Sequence, residues 1–139
     1  MEQLKQFFSA NDLFARHNGI ELLEAGKGRA TVQMKVAPYH FNAAGTVHGG
    51  AIFTLADYAF AVASNSHGRI AMGISASVNF VKAAVGGTLH AEAVENSINQ
   101  KLASYTVTVT DEDSCIIAIF QGMVYRKKES ILSNLKESC

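Results

Sequence analysis

The chain has 139 residues, of which 48% are hydrophobic, and its 12 basic and 12 acidic side chains give a formal net charge of zero. A chain of this length is expected to form one compact domain with a sizeable core rather than two domains. Because the charge is balanced, no overall field attracts a nucleic acid or an anionic membrane surface, and neither is expected as a partner.

The two cysteines and the N-terminus indicate the compartment. Cys115 begins an apolar run and is predicted to be a buried thiol, and Cys139 is the last residue, so the pair forms neither a disulfide framework nor a metal-binding spacing. The first residues contain no apolar stretch with a small-residue cleavage site, and the apolar run at 51–63 is about a third too short for a membrane span. A cytoplasmic protein is therefore expected.

The first half of the chain predicts two helices and a strand. Apolar residues at helical spacing over 2–17 predict an amphipathic helix with a break near Asn11. Polar and apolar residues alternate strictly over 29–36, which is typical of a half-buried strand. Residues 38–48 have no clear period and are predicted to form a loop, and the segment 48–64 follows as a long apolar helix.

The second half predicts four strands joined by turns. Alternation predicts strands over 70–80 and 104–110, and further strands are predicted over 89–97 and 115–127. In the strand over 70–80, the apolar residues Ile70, Met72, Ile74, Ala76, Val78 and Phe80 are expected on one face and the residues between them on the other. One long helix followed by hairpin-connected strands predicts an α+β fold with an antiparallel sheet.

The helix at 48–64 is apolar on nearly every side, so it must be covered on nearly every side. One sheet covers only part of a helix, the N-terminal helix covers more, and a second copy of the chain is expected to cover the rest. The whole of 1–139 is predicted to be one domain, with an N-terminal helical segment at 1–18. A C-terminal tail at 129–139 is expected to be a short helix or disordered.

A single carboxylate, Asp57, lies in the middle of this apolar helix. An unpaired carboxylate in apolar surroundings is costly and its pKa rises, and no Lys or Arg lies between Lys35 and Arg69. One interpretation is that Asp57 caps a loop or pairs with a cation from another element. The other is that it acts on a carbonyl group as a general base or nucleophile.

Two glycines, Gly49 and Gly50, lie where the helix is predicted to begin. The first N–H groups of a helix have no intrahelical acceptor, and glycine has no side chain to block their approach to a ligand. Such N–H groups stabilise the negative charge that forms on a carbonyl oxygen during acyl transfer. The simpler alternative is that the glycines only permit a tight turn into the helix.

The segment HFNAAGTVHGGAIFTLADYAFAVASNSHG (40–68) resembles the core motif of the hotdog-fold acyl-CoA thioesterases, specifically the PaaI-like, phenylacetate-degradation group. The resemblance continues through SASVNFVKAA, GGTLHAEA, YTVTVTDED and FQGMVYRKK, and it covers roughly residues 12–127. It implies a long central helix wrapped by a five- or six-stranded antiparallel sheet. It also implies homodimers, often paired into homotetramers.

The resemblance further implies roles for individual residues. Asp57 is expected to attack the thioester directly or through an activated water, and the Gly49 amide to be the oxyanion donor. Asn42 is expected to position the carbonyl or the water, and His48 either to polarise the thioester or to hold the loop. Ser75 matches a position where related thioesterases carry a Ser or Thr that hydrogen-bonds the carboxylate or its water.

Substrate contacts are expected at Gly50 and at Ala61, which lies one turn beyond Asp57. Some relatives carry a hydroxyl residue at the position of Ala61, and its absence here gives Ser75 more weight. The nucleotide of coenzyme A is anionic while the chain is neutral, so a local basic cluster is expected to hold it. Its candidates are Lys82, Arg126, Lys127 and Lys128. The five histidines show no zinc spacing, and no metal or cofactor is expected.

The spacing of Gly49 and Asp57 predicts a site shared between two chains. Eight residues of helix separate them by roughly 12 Å along the axis, whereas a thioester carbonyl must lie within about 3 Å of both groups. Two antiparallel copies side by side bring the Gly49 end of one helix to the middle of the other, which the family arrangement also implies.

Two functions are consistent with the sequence, and a third does not match it. The favoured one is hydrolysis of an aryl-acetyl, aroyl or medium-chain acyl-CoA. The second is a non-catalytic module that binds acyl-CoA or only dimerises. The third, a hotdog-fold dehydratase, requires a histidine and a carboxylate in a different arrangement from the one in this sequence.

Overall fold

The computed structural model describes residues 1–132. Over those residues it has three α-helices: α1 (Glu2–Asn11), α2 (Leu13–His17) and α3 (Gly49–Asn65). Its strands are β1 (Ile20–Gly26), β2 (Arg29–Lys35), β3 (Arg69–Phe80), β4 (Thr88–Ile98), β5 (Leu102–Thr110) and β6 (Ile116–Ser130). They form one antiparallel sheet in the order β1-β2-β4-β5-β6-β3, and α3 packs against it. The predicted α+β class, with one long helix and a six-stranded antiparallel sheet, is confirmed.

The predicted break in the N-terminal helix is confirmed and has a clear cause. The Asp12 side chain accepts a hydrogen bond from the Ala15 N–H at 3.1 Å, so Asp12 caps a new helix instead of continuing α1. Leu4 and Phe8 of α1 are buried, and the Phe8 ring meets the Tyr58 ring of α3 with centroids 6.3 Å apart. The N-terminal helices therefore cover part of α3, as expected.

One face of α3 remains open in the single chain. The sheet and α1 bury most of the helix, and Leu55, Ala59 and Val62 are fully buried. The residues that stay exposed or half-buried include Gly50, Thr54, Asp57 and Ala61, which follow one another at spacings of four, three and four. That spacing keeps them on one side of a helix. They form an uncovered stripe, which we call the open stripe of α3.

Strand β1 was not predicted, because its residues do not alternate. Its register against β2 shifts between Leu22 and Glu24, and Ile20 is its one buried residue. A bulge of this kind breaks the two-residue period by which a strand is recognised in a sequence. Strand β2 has no bulge, and its apolar residues Ala30, Val32 and Met34 are all buried, as predicted.

The expected strict alternation of β3 is wrong, because the strand is irregular. Its register against β6 shifts between Gly73, which is opposite Val124, and Ser75, which is opposite Met123. Ile74 therefore has no partner residue on β6. The side chains that follow it point to the opposite face of the sheet from the one that strict alternation predicts. Met72 and Ile74 are 52% and 57% exposed. β3 lies at the end of the sheet with β6 as its one neighbour, so its outer edge is unpaired in the described part of the chain.

The prediction that Cys115 is buried is wrong. Cys115 belongs to the exposed β5–β6 hairpin, where its N–H donates to Asp111 Oδ1 at 2.9 Å, and the apolar run becomes buried only from Ile117 onward. Strand β6 continues to Ser130 and so includes the first two residues of the predicted tail, and residues 133–139 of that tail lie outside the described residues. Over 1–132, none of the helices has the length and apolar character needed to cross a membrane.

Candidate active site

The start of α3 presents one free backbone amide, at Gly49. His48 caps the helix, with its Nδ1 accepting from the Gly50 N–H at 2.8 Å and its carbonyl oxygen accepting from the Ala51 N–H at 2.9 Å and the Ile52 N–H at 3.2 Å. The Gly49 N–H donates to no atom within residues 1–132. Of the first amides of the helix, only that of Gly49 is left to stabilise an anion at the positive end of the dipole.

A phenylalanine ring packs directly on Gly49. A Cβ atom added there would lie 3.2 Å from Phe80 Cζ, closer than ordinary van der Waals contact. The lack of a side chain therefore lets Phe80 at the end of β3 cover this turn while the amide stays open. The position of Phe80 at this turn was not predictable from the sequence, because the contact depends on how β3 folds back to the start of α3.

Asn42 holds the loop that leads into α3. Its Oδ1 accepts from the N–H groups of Ala44 at 3.0 Å and Thr46 at 3.1 Å, and its Nδ2 donates to Thr46 Oγ1 at 2.9 Å. These bonds leave one N–H of the Asn42 side chain without a partner in residues 1–132. The amide is thus fixed in orientation by its own loop, with one donor available for another partner.

A buried histidine outside the predicted set anchors the same loop. His40 Nδ1 accepts from the Ala37 N–H at 2.9 Å, its Nε2 donates to the Asn18 carbonyl at 3.0 Å, and its own carbonyl accepts from the His48 N–H at 2.7 Å. His40 therefore ties the end of α2 to the cap of α3. This role was not predictable from the sequence, because residues 38–48 show no periodic pattern that would mark His40 as buried.

Asp57 lies in a cavity with mainly apolar walls. The cavity has a volume of about 300 Å³, and its walls include Phe60, Ala61, Met72 and Gly73 from α3 and β3. In the single chain the carboxylate is open to solvent on one side, and it forms no hydrogen bond or ion pair within residues 1–132. No cation in the described part of the chain pairs with Asp57, so the structure does not support the interpretation of Asp57 as half of a structural ion pair.

The surroundings raise the pKa of Asp57 above the usual aspartate range. Partial burial among apolar side chains is the main cause, and the negative charge of Asp12 raises the pKa further. A carboxylate of raised pKa with no partner is typical of general bases and nucleophiles.

The predicted site residues do not all come together in one chain. Ala61 shares the Asp57 cavity, and Gly50 adjoins Gly49, although its N–H is occupied by His48. Gly49 and Asp57 lie eight residues apart on the continuous helix α3, and so about 12 Å apart along its axis. Within one chain, the free amide and the free carboxylate do not face the same point.

Ser75 lies in another groove. It is opposite Met123 in the register and lines a cavity of about 260 Å³ together with Ser77, Ser104 and Gln121. None of these residues lines the Asp57 cavity. The structure therefore does not bring Ser75 to Asp57 within one chain, and its role at the carboxylate stays a prediction.

The candidate phosphate-binding residues separate into two places. Lys82 Nζ lies 3.4 Å from Asp111 Oδ2, and its backbone N–H bonds to Ile117 near the start of β6. Arg126 lies nine residues further along β6, which is about 30 Å of strand. It shares a groove with Lys128, whereas Lys127 does not line that groove.

Comparisons with known proteins agree with this architecture. Residues 44–117 match the family model described as the thioesterase superfamily. A protein of Archaeoglobus fulgidus named "Putative esterase" is 42% identical over 130 residues, which is 93% of this chain and 84% of that relative. The acyl-coenzyme A thioesterase PaaI of Escherichia coli is 32% identical over 117 residues, 84% of each protein.

Solved structures of related proteins have the same fold as this chain. The structure of the E. coli PaaI protein superposes with a TM-score of 0.89 at 29% identity, covering 92% of this chain and 94% of that one. A Streptococcus mutans protein bound to acetyl CoA superposes with a TM-score of 0.76 at 26% identity, covering 80% of this chain and 90% of that one. The chain therefore belongs to the thioesterase superfamily and is an enzyme of its hotdog-fold, PaaI-like group.

Proposed function

We propose that the chain hydrolyses the thioester of an acyl-coenzyme A whose acyl group is aryl-acetyl, aroyl or medium-chain. One observation carries the proposal: a free amide at the start of α3 and a free carboxylate of raised pKa in the middle of the same helix. The name of the E. coli relative and the acetyl CoA bound to the S. mutans neighbour support coenzyme A as the thiol half of the substrate.

The Asp57 carboxylate and the Gly49 N–H have different roles in the proposed reaction. Asp57 either takes a proton from an attacking water or itself attacks the carbonyl carbon, giving an anhydride that water then hydrolyses. In both routes negative charge forms on the carbonyl oxygen, and the Gly49 N–H stabilises it. Both routes expel the thiolate of coenzyme A and release the acyl group as a carboxylate.

We place each site between two chains. The two groups are about 12 Å apart in one chain, so one substrate carbonyl reaches both only if a second, antiparallel α3 supplies one of them. The open stripe of α3 contains Asp57, and the exposed apolar residues and unpaired edge of β3 lie beside it. A homodimer that covers these surfaces has two equivalent sites, and a dimer of dimers is the expected assembly.

Asn42 and His48 support the site from the loop. The remaining side-chain N–H of Asn42 is proposed to donate to the substrate carbonyl or to the attacking water. His48 uses Nδ1 to cap α3, so we assign it the role of holding the loop, with its Nε2–H as the one donor left for substrate.

Steady-state hydrolysis of a panel of acyl-CoA substrates tests the proposed function. Phenylacetyl-CoA, benzoyl-CoA and octanoyl-CoA are offered separately, and released thiol is measured. We expect saturable thiol release with at least one of them. Tight binding of coenzyme A without hydrolysis of any substrate would instead identify a non-catalytic binding module.

The pH dependence of kcat is expected to follow Asp57. The carboxylate must be ionised to act, and the charge of Asp12 raises its pKa. Asp12→Asn removes that charge but keeps an oxygen to accept from Ala15 N–H, so the acidic limb of the kcat profile moves to lower pH. Asp113→Asn, in the exposed β5–β6 hairpin, is the control and leaves the profile unchanged. An unshifted profile in Asp12→Asn would contradict the assignment of that limb to Asp57.

Ser75→Ala is expected to lower kcat by about ten- to a hundredfold with little change in KM, the pattern of an interaction made mainly in the transition state. Support comes from the resemblance, which matches Ser75 to a Ser or Thr that hydrogen-bonds the carboxylate or its water, and from the Asp57 cavity, which includes the preceding residues of β3. Ser77→Ala in the same groove is the matched control. Equal, small effects in both variants would leave Ser75 as a solvated residue of that groove.

A further inference from the structure

The Asp57 cavity extends away from the carboxylate along α3. The helix residues that line it run from Asp57 to Asn65, which are eight residues apart and so about 12 Å apart along the axis. Strand β3 runs back along the same length, because the Ala71 N–H donates to Asn65 Oδ1 at 2.9 Å while Gly73 lies against the Phe60 ring. The cavity is therefore elongated, with Asp57 at one end and Asn65 at the other.

Two glycines make room for the Phe60 ring in the wall of this cavity. A Cβ atom added at Gly122 of β6 would lie 2.7 Å from Phe60 Cζ, and one added at Gly73 of β3 would lie 3.3 Å from Phe60 Cε2. The ring therefore lies directly on the backbone of the sheet, where its centroid is 5.8 Å from that of Tyr105 and 5.3 Å from that of Phe120. Because Phe60 is packed on several sides, this part of the wall is rigid.

The polar side chains at the far end of the cavity use their hydrogen-bond donors within the chain. Asn65 Nδ2 donates to Ala61 O at 2.8 Å and to Ala71 O at 3.4 Å, and Ser64 Oγ donates to Ala61 O at 3.2 Å. Among the described residues that line the cavity, no side-chain N–H or O–H is then left for a ligand. The amide carbonyls of a pantetheine arm would find no side-chain donor there, whereas a hydrocarbon group needs none.

Ile131 closes the end of the cavity that is opposite to Asp57. It is 8% exposed, and its N–H donates to the Gly68 carbonyl at 2.9 Å, in the turn that joins Asn65 of α3 to β3. The other residues that line the cavity belong to α1, α3 or β3, whereas Ile131 follows the last residue of β6. A substitution at Ile131 therefore changes the length of the cavity without altering a helix or a strand.

We infer that the Asp57 cavity holds the acyl group and that Ile131 sets the longest acyl chain that fits. The inference rests on the proposed function, which places the thioester at Asp57. An apolar cavity on the order of 150 Å³ binds benzene, so a cavity of about 300 Å³ has room for a ring or a flexible chain. An extended chain advances by roughly 1.2 Å per bond, so a chain of about eight to ten carbons is as long as the cavity.

Two substitutions at Ile131 are expected to move the chain-length preference in opposite directions. Ile131→Ala lengthens the cavity, so kcat/KM for dodecanoyl-CoA rises at least about tenfold relative to that for octanoyl-CoA. Ile131→Phe shortens the cavity, so kcat/KM for octanoyl-CoA falls at least about tenfold relative to that for butanoyl-CoA. Leu132→Ala is the matched control and leaves both ratios unchanged, because Leu132 packs on the core from the same segment but does not line the cavity.

The ratios separate a role in specificity from a role in folding, because a variant that is merely less stable loses activity on every chain length alike. If Ile131→Ala does not fold, Ile131→Val removes a single methyl group and is expected to shift the same ratio in the same direction by about threefold. Unchanged ratios in the Ile131 variants would overturn the inference. An equal rise in KM for every acyl-CoA would also overturn it, because the cavity would then hold the pantetheine arm.

Binding of S-alkyl thioethers of coenzyme A separates this inference from the proposed function. These analogues have no thioester carbonyl, so calorimetry measures the chain-length preference whether or not the chain is a hydrolase. We expect the affinity for the dodecyl relative to the octyl thioether to rise at least about tenfold in Ile131→Ala. This shift without hydrolysis of any acyl-CoA would refute the proposed function and keep the acyl cavity. Hydrolysis with an unchanged chain-length preference would refute the acyl cavity and keep the proposed function.

Discussion

Asp57→Ala and Asp57→Asn are each expected to lower kcat by at least about a hundredfold, the usual scale for the loss of a positioned base. The carboxylate has no partner within residues 1–132, and its surroundings raise its pKa, so nothing in the single chain gives it a structural role. Asparagine keeps the shape and removes the charge, and for this reason its effect is expected to be nearly as large as that of alanine.

The same change is not expected to unfold the chain. The pKa of Asp57 is higher in the folded state than in the unfolded state, so its ionised form opposes folding above the folded pKa, and this penalty disappears below the unfolded pKa. Asp57→Asn therefore keeps or raises the melting temperature at neutral pH and leaves it unchanged in acid. Asp113→Asn is the control for both activity and melting. Near wild-type turnover in a folded Asp57→Ala chain would remove Asp57 from the mechanism.

Gly49→Val is expected to lower kcat by about a hundred- to a thousandfold, the scale for removing one oxyanion donor. The branched side chain crowds the one amide at the start of α3 that has no acceptor within residues 1–132, and its Cβ also lies 3.2 Å from Phe80 Cζ before any adjustment. Gly49 does not have a positive φ, so the helix accepts a side chain there and the fold is expected to survive.

Ala51→Val is the matched control for this substitution. It adds a branched side chain in the same turn, at a residue whose N–H already donates to the His48 carbonyl. We expect it to keep near wild-type kcat. A loss of kcat in Ala51→Val as large as that in Gly49→Val would show that bulk at this turn, and not the free amide, controls turnover.

Elements with an uninterrupted residue pattern were predictable from the sequence, and elements with a bulge or an exposed start were not. Strand β2 alternates without interruption and was predicted almost to the residue, and α3 was predicted from a long apolar run with glycines at its start. Strand β1 was missed because a bulge breaks its period. Cys115 was misplaced because the apolar run that it begins starts in an exposed hairpin, and the run itself does not show where burial begins.

The candidate site was predictable where it depends on helix geometry. The rise per residue of an α-helix is constant, so the separation of Gly49 and Asp57 follows from their numbers alone. The free amide at Gly49 was not predictable to the atom, because it depends on where the His48 side chain turns back to cap the helix. The groove that Arg126 and Lys128 share with Arg69 and Lys101 was not predictable, because the pairing of β3 with β6 and the β4–β5 turn bring these side chains together.

The proposal that two chains share each site is tested most directly by mixing two inactive variants. Gly49→Val and Asp57→Ala chains are unfolded and refolded together, so that half of the dimers are heterodimers if association is statistical. One of the two sites in each heterodimer keeps an intact Gly49 from one chain and an intact Asp57 from the other. We expect about a quarter of the wild-type activity to return. No recovery of activity, with heterodimers shown by mass spectrometry to be present, would mean that each site is built within one chain.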